Sequence, residues 1–119
     1  MGEHARPVCV FLIPLVRDSD RRQHVPVLWR RLLKGLMTSF GGFTGPETVS
    51  GTWTPPGGGE PVTDLSRKYT VAVEEHRVDE LRSLLRRAGN SFDQRVIYLE
   101  VAGFAEELEV RPEHGYLDE

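Results

Sequence analysis

The stretch VCVFLIPLV, residues 8–16, decides the fold. It is apolar throughout, so it lacks the two-residue alternation of a strand with one wet face. A strand of that kind is covered on both sides, and we read it as the centre of a sheet. The run is far shorter than the roughly 20 residues of a membrane span. Pro14 interrupts it, and it passes directly into RDSDRR without the small-residue cleavage site of a secretory leader, so it belongs to the mature fold.

Downstream, the polar run RDSDRRQH (17–24) is a connection, and Pro26 suits the first turn of a helix, where its missing N–H costs nothing. Over residues 27–37, Leu28, Leu32, Leu33, Leu36 and Met37 recur at helical spacing, with Arg30, Arg31 and Lys34 on the other side. Gly41-Gly42 is expected to end that helix through a left-handed exit. SFGGFTGPETVSGTWTPPGGGEP (39–61) then reads as half of a glycine-broken hairpin. Residues 48–54 alternate, with Val49, Gly51 and Trp53 on one side and Thr48, Ser50, Thr52 and Thr54 on the other. PPGGGEP supplies turn chemistry, and residues 67–73 alternate again, with Tyr69, Val71 and Val73 opposite Lys68, Thr70 and Ala72.

A second amphipathic helix follows, its stripe formed by Val78, Leu81, Leu84, Leu85 and Ala88, with Gly89 as its terminator. VIYLEV (96–101) is the next strand. Residues 102–110 suit either a short edge strand or a helical turn, and RPEHGYLDE (111–119) reads as a loose tail. The order strand, helix, strand, strand, helix, strand is that of a ferredoxin-like βαββαβ sandwich, an α+β fold with a four-stranded antiparallel sheet and two helices on one face. Residues 8–104 form that domain, between an N-terminal extension (1–7) and an acidic C-terminal segment (105–119).

Composition bounds the function. At 119 residues the chain fits one domain that needs no metal or disulfide staple. With 39% hydrophobic and 28% charged residues it is too apolar to be disordered. The lone Cys9 permits no intrachain disulfide and suits a reducing cytoplasm. The net charge of −3 is concentrated at the end, where Glu106, Glu107, Glu109, Glu113, Asp118 and Glu119 meet only Arg111. A near-neutral body lacks the concentrated basic surface that nucleic acid requires, and no membrane partner is expected.

The catalytic motifs are missing. Gly57-Gly58-Gly59 lacks the lysine and following helix of a phosphate loop. His4, His24, His76 and His114 are scattered without metal-ligand spacing, so neither a metal nor a cofactor is expected. Cys9, on a central strand, reads as a small buried hydrophobe. Asp64, Ser66 and Arg67 enter the third strand together and Gln94 precedes the fourth. In a local reading Asp64 closes its own turn and Arg67 pairs with an acid such as Glu47. In a functional reading Thr44, Asp64, Arg67 and Gln94 are the rim of a polar ligand pocket. Trp53 belongs either to the core or to an open sheet face or subunit contact. The side of the sheet away from the helices would expose the first strand, with Tyr98, Thr70 and Thr52 as expected neighbours. Self-association as a dimer or trimer is the plainest cover, and Trp53, Thr70 and Tyr98 are the candidate interface residues.

The pattern Phe40-Gly41-Gly42-Phe43-Thr44, then Gly51-Thr52-Trp53, DLSRKY (64–69) and Phe92-Asp93-Gln94 before VIYLEV resembles a group of small bacterial ferredoxin-like proteins. In strand order the chain is also similar to the PII-type signalling proteins, trimers that bind nucleotides or other small ligands near a loop between the second and third strands, although it lacks a PII signature. The likeness to PII proteins is one of fold alone, and our first reading of the chain is a non-catalytic oligomeric binding or regulatory module with a small ligand or protein partner. The alternative is a small ferredoxin-like enzyme, of cofactor-free oxygenase or nuclease type, with Asp64, Arg67, Gln94 or Tyr98 in a pocket between sheet and helices.

Overall fold

A computed structural model describes residues 5–55 and 57–118. Residues 1–4, Pro56 and Glu119 lie outside the described residues, and with them His4, part of the expected N-terminal extension, one residue of the PPGGGEP turn and the last acid of the C-terminal segment. The elements are β1 (Val8–Pro14), α1 (Pro26–Phe40), β2 (Thr44–Trp53), β3 (Val62–Ala72), α2 (Val78–Ser91), β4 (Val96–Val101) and β5 (Phe104–Glu109). Every strand pairing is antiparallel, in the order β2-β3-β1-β4-β5.

β1 is central, between β3 and β4, as its doubly apolar sequence requires. Cys9, Phe11 and Ile13 are fully buried against the helices, while Val10, Leu12 and Pro14 on the opposite face are half-buried. The helices bury the stripes read from their spacing, with Leu32 and Leu36 from α1 and Val78, Leu81, Leu84, Leu85 and Ala88 from α2. Gly41 ends α1 at φ 79°, its N–H donating to the Met37 carbonyl at 3.0 Å. Gly89 does not end α2. The helix runs on to Ser91, and this glycine is buried where an added Cβ would collide with the Val110 side chain.

Four strands were expected and five are present. Val101 pairs with Phe104 across a two-residue turn in which Ala102 and Gly103 both take positive φ, 50° and 87°. That geometry matches the right-handed twist of a hairpin, so β5 folds directly back onto β4. It resolves residues 102–110 in favour of the edge strand. Leu108, on the helix side, is buried, and Glu106 on the same side meets Arg82 of α2 at 2.7 Å. The end of the chain is not loose either. The Asn90 side-chain amide donates to the carbonyls of Arg111 (2.7 Å) and Gly115 (2.8 Å), the Ser91 hydroxyl accepts the Leu117 N–H, and Leu117 is 6% exposed in the core.

The hairpin is longer than its alternation suggested. β2 has no buried residue, and with the first half of β3 it forms an arm. Register places Val49, Gly51 and Trp53 on the side away from the helices and Thr48, Ser50 and Thr52 on the helix side. Thr52 is therefore not on the open face where it was expected. Trp53 is 48% exposed and is not core.

Candidate functional site

The arm creates a cleft. Where β1 ends, the connection to α1 leaves the sheet and turns beside the first half of β3, enclosing about 550 Å³. One wall carries Leu15, Val16, Arg21, Gln23 and His24 from the connection, with Pro26 and Trp29 from the start of α1; the other carries Thr63, Asp64, Leu65 and Arg67 from β3. The register Ile13↔Arg67 fixes that meeting, because it sets Arg67 beside the last core residue of β1.

The connection is held by its own polar residues. The Leu15 N–H donates to the Leu65 carbonyl at 3.0 Å, and Val16 bridges Gln23. The turn between α2 and β4 grips the other side: the Ser19 N–H donates to the Asp93 carboxylate at 2.9 Å and the Arg95 N–H to the Asp18 carboxylate at 2.9 Å. Gln94, 5% exposed, donates to the carbonyls of Val16 (2.8 Å) and Phe92 (2.9 Å). The connection is thereby fastened on both sides, with many of its backbone groups paired.

Asp64 accepts from the Arg21 guanidinium at 2.7 Å through one oxygen and from the Trp53 indole N–H at 3.1 Å through the other. Arg21 holds its carboxyl below the usual carboxylate range; partial burial opposes this and Trp53 adds to it. The Arg67 guanidinium lies over the Trp29 ring, 4.1 Å from its centroid. Trp29 in turn leans on Phe92 at 4.6 Å, and Phe92 presents its face or edge to His24 at 4.8 Å. Tyr69, two residues beyond Arg67 on the same face, is fully buried against Phe11, and burial raises its phenol while Arg67 partly opposes that. No hydrogen-bond partner for its hydroxyl is found among the described residues. Cys9 is buried as well, and burial raises its thiol. A thiol so placed lacks the thiolate character of a nucleophile.

Of the four candidate ligand residues, Asp64 and Arg67 line the cleft. Gln94 stands behind its wall, bonded to the Val16 carbonyl, and Thr44 lies at the far end of β2 opposite Thr70. Asp64 bonds across to Arg21 rather than closing its own turn, and Glu47 meets Lys68, at 3.9 Å, rather than Arg67. Arg21, His24 and Trp29 complete the cleft without having been singled out for it. The only trace of them in the sequence is a histidine and a tryptophan flanking Pro26, a pattern with no chemistry until β3 is placed beside it. Trp53, Thr70 and Tyr98 share the open face of the sheet, where Thr70 pairs with Val10 and Tyr98 with Leu12.

The shifted groups set an acid profile. Asp64 and Asp93 have folded pKa values below their unfolded ones, so their contribution is complete above about pH 4 and is lost as pH falls through the folded values. Burial lowers the folded pKa of His24, so its contribution is complete above about pH 6.5 and declines as pH falls from there. Urea midpoints measured from pH 8 to pH 3 should therefore fall in two stages, and Asp64→Asn should flatten the lower one. A midpoint constant down to pH 3 would contradict both assignments.

No family model and no curated relative matches the chain. Two solved structures match nearly all of it. One is a phage SAM lyase in its apo state, 10% identical, with a TM-score of 0.60 over 93% of this chain and 96% of that one. The other is a phage SAM lyase in complex with S-methyl-5′-thioadenosine, 11% identical, with a TM-score of 0.57 over 92% of this chain and 95% of that one. At such identities the likeness is one of fold: this chain shares the architecture of those two structures.

Proposed function

We propose that the cleft binds a small nucleoside ligand of the S-adenosyl class and that the protein is a ligand-binding module built on it. The observation that carries this reading is a single cleft lined by both Asp64 and Arg67, which leave β3 on opposite faces, and by Trp29. Its volume of about 550 Å³ suits a ligand of nucleoside size. Each Asp64 oxygen has one protein partner and keeps a lone pair for a ribose hydroxyl. The Arg67 guanidinium, placed over the Trp29 ring, is a plane of the kind on which a base stacks.

Calorimetric titration with S-methyl-5′-thioadenosine and with SAM tests the reading. Saturable binding is expected, weakened about tenfold to a hundredfold in Asp64→Ala, since hydrogen bonds to a charged group contribute roughly 1.5–3 kcal/mol. Absence of binding to either compound would overturn it. A second reading, turnover of the same ligand by a lyase-type enzyme, is favoured by the activity named for both neighbours. Chromatography of SAM incubated with and without the protein separates the two, because only the enzyme releases a thioether faster than SAM does alone.

Self-association through the open sheet face belongs to the same proposal. Val10 and Leu12 run down its middle, with Lys68 and Thr70 on one flank and Tyr98 and Glu100 on the other. A two-fold contact along β1 sets the Lys68 flank of one copy against the Glu100 flank of the next, an isologous and charge-complementary arrangement. Light scattering measures it directly, and a monomer at all concentrations refutes it.

A further inference from the structure

The cleft holds a cation that the chain leaves without an acid. Of its two arginines, Arg21 is spent on Asp64 at 2.7 Å, and the other Asp64 oxygen takes the Trp53 indole N–H. Arg67, half-buried, forms no ion pair among the described residues. The acids of neighbouring elements are engaged elsewhere: Glu47 meets Lys68 at 3.9 Å, Asp93 accepts from Ser19, and Asp18 accepts the Arg95 N–H. The Tyr69 hydroxyl is close enough for Arg67 to lower its phenol, yet it has no hydrogen-bond partner. That hydroxyl and His24 Nδ1 are the buried side-chain polar atoms left unpartnered among the described residues, so the unbonded Arg67 nitrogens are open to solvent. A guanidinium that has lost part of its hydration and gained no carboxylate is suited to an anion from outside the chain.

Resting on the S-adenosyl reading above, we propose that Arg67 holds the amino-acid carboxylate of the ligand, so that the cleft takes S-adenosyl compounds that keep their amino-acid tail in preference to S-methyl-5′-thioadenosine, which lacks it. The guanidinium is a planar fork of N–H donors that meets a carboxylate with two parallel bonds. Trp29 covers one face of that plane, 4.1 Å from its centre, while the donors point outward from the edge. An anion at the edge therefore does not compete with a base on the free face.

The charge of the lining favours the same ligand. Two guanidinium groups, Arg21 and Arg67, face one carboxylate, Asp64, and burial disfavours the charged form of His24. A cleft with an excess of positive charge attracts an anionic group. Position fixes which cation receives it, because Arg67 pairs with Ile13 at the end of the rigid central strand and is steadied by Trp29, whereas Arg21 sits on the connection and is 58% exposed.

The test compares S-methyl-5′-thioadenosine with S-adenosylhomocysteine, a thioether that adds the amino-acid tail without the sulfonium charge of SAM. The wild-type protein should bind S-adenosylhomocysteine about tenfold to a hundredfold more tightly, the range for hydrogen bonds to a charged group. In Arg67→Gln, whose side chain stays planar but neutral, the preference should fall to about twofold or less. The carboxamide of S-adenosylhomocysteine should bind the wild-type protein no more tightly than the thioadenosine, a comparison that stands even if the glutamine variant fails to fold. Equal affinity of the wild-type protein for S-adenosylhomocysteine and the thioadenosine would overturn the role of Arg67 and leave the S-adenosyl reading standing. So would an undiminished preference in Arg67→Gln, or a carboxamide that binds as tightly as the carboxylate. Failure to bind either compound would overturn both.

Discussion

Phe92→Ala will lower the unfolding free energy by about 3–5 kcal/mol, the range for removing a large aromatic side chain from a packed interior. Phe92 is fully buried at the end of α2, where its N–H donates to the Ala88 carbonyl at 2.8 Å. Its ring touches Trp29 at 4.6 Å and His24 at 4.8 Å, so it is the floor on which the aromatic end of the cleft rests. Truncation leaves a hole that these two rings cannot fill without giving up Arg67 on one side and the Pro14 carbonyl on the other. Urea unfolding measures the loss. Phe92→Leu, which keeps most of the volume, should recover more than half of it, and a cost below 1 kcal/mol for the alanine variant would show that the floor lies elsewhere.

Gly45→Ala should be the most costly of the glycine substitutions in the hairpin. Gly45 has a φ of 117°, and a Cβ there would lie 2.6 Å from the Lys68 carbonyl oxygen. Backbone cannot rotate away as a flexible side chain can, so strain of about 1–3 kcal/mol from the conformation alone is increased by the collision. The position also sits in the irregularity between Thr44 and Glu47 that sets the β2–β3 register. A one-residue slip there would turn β2 over, carry Trp53 to the other face and remove its bond to Asp64. Loss of about 2–4 kcal/mol, accompanied by faster amide exchange in β2, is expected. Gly51→Ala is the control, since an added Cβ meets nothing within 4 Å; if the two variants unfold alike, the bulge does not set the register.

How legible these features were follows from the range of the forces behind them. β1 was placed correctly because a strand apolar at both parities has no stable position at an edge, and the helical stripes were readable because 3.6-residue spacing is a local signal. β5 was half legible: Phe104, Glu106 and Leu108 alternate with other residues as a strand requires, but acidic composition and an Ala-Gly turn obscured it. The tail read as loose because its anchors, Asn90 and Ser91, sit more than twenty residues earlier in another element. Gly89 was misread for a related reason, since a glycine near a helix end usually signals an exit, and here it makes room for Val110.

The cleft divides along the same line. Asp64 and Arg67 were two of four candidates, named for entering β3 together beside a local-turn alternative, and both line the cleft, yet their partners there left no signal in the sequence. From the sequence alone came a central first strand, two amphipathic helices, a glycine-rich hairpin and the polar character of the start of β3, each a matter of neighbouring residues and the period of their side chains. Only the tertiary structure decided that Arg21, His24 and Trp29 face Asp64 and Arg67. That choice depends on strand register and on a connection fastened from the far side by Asp93 and Gln94, and pairings of that sort leave no periodic trace along the chain.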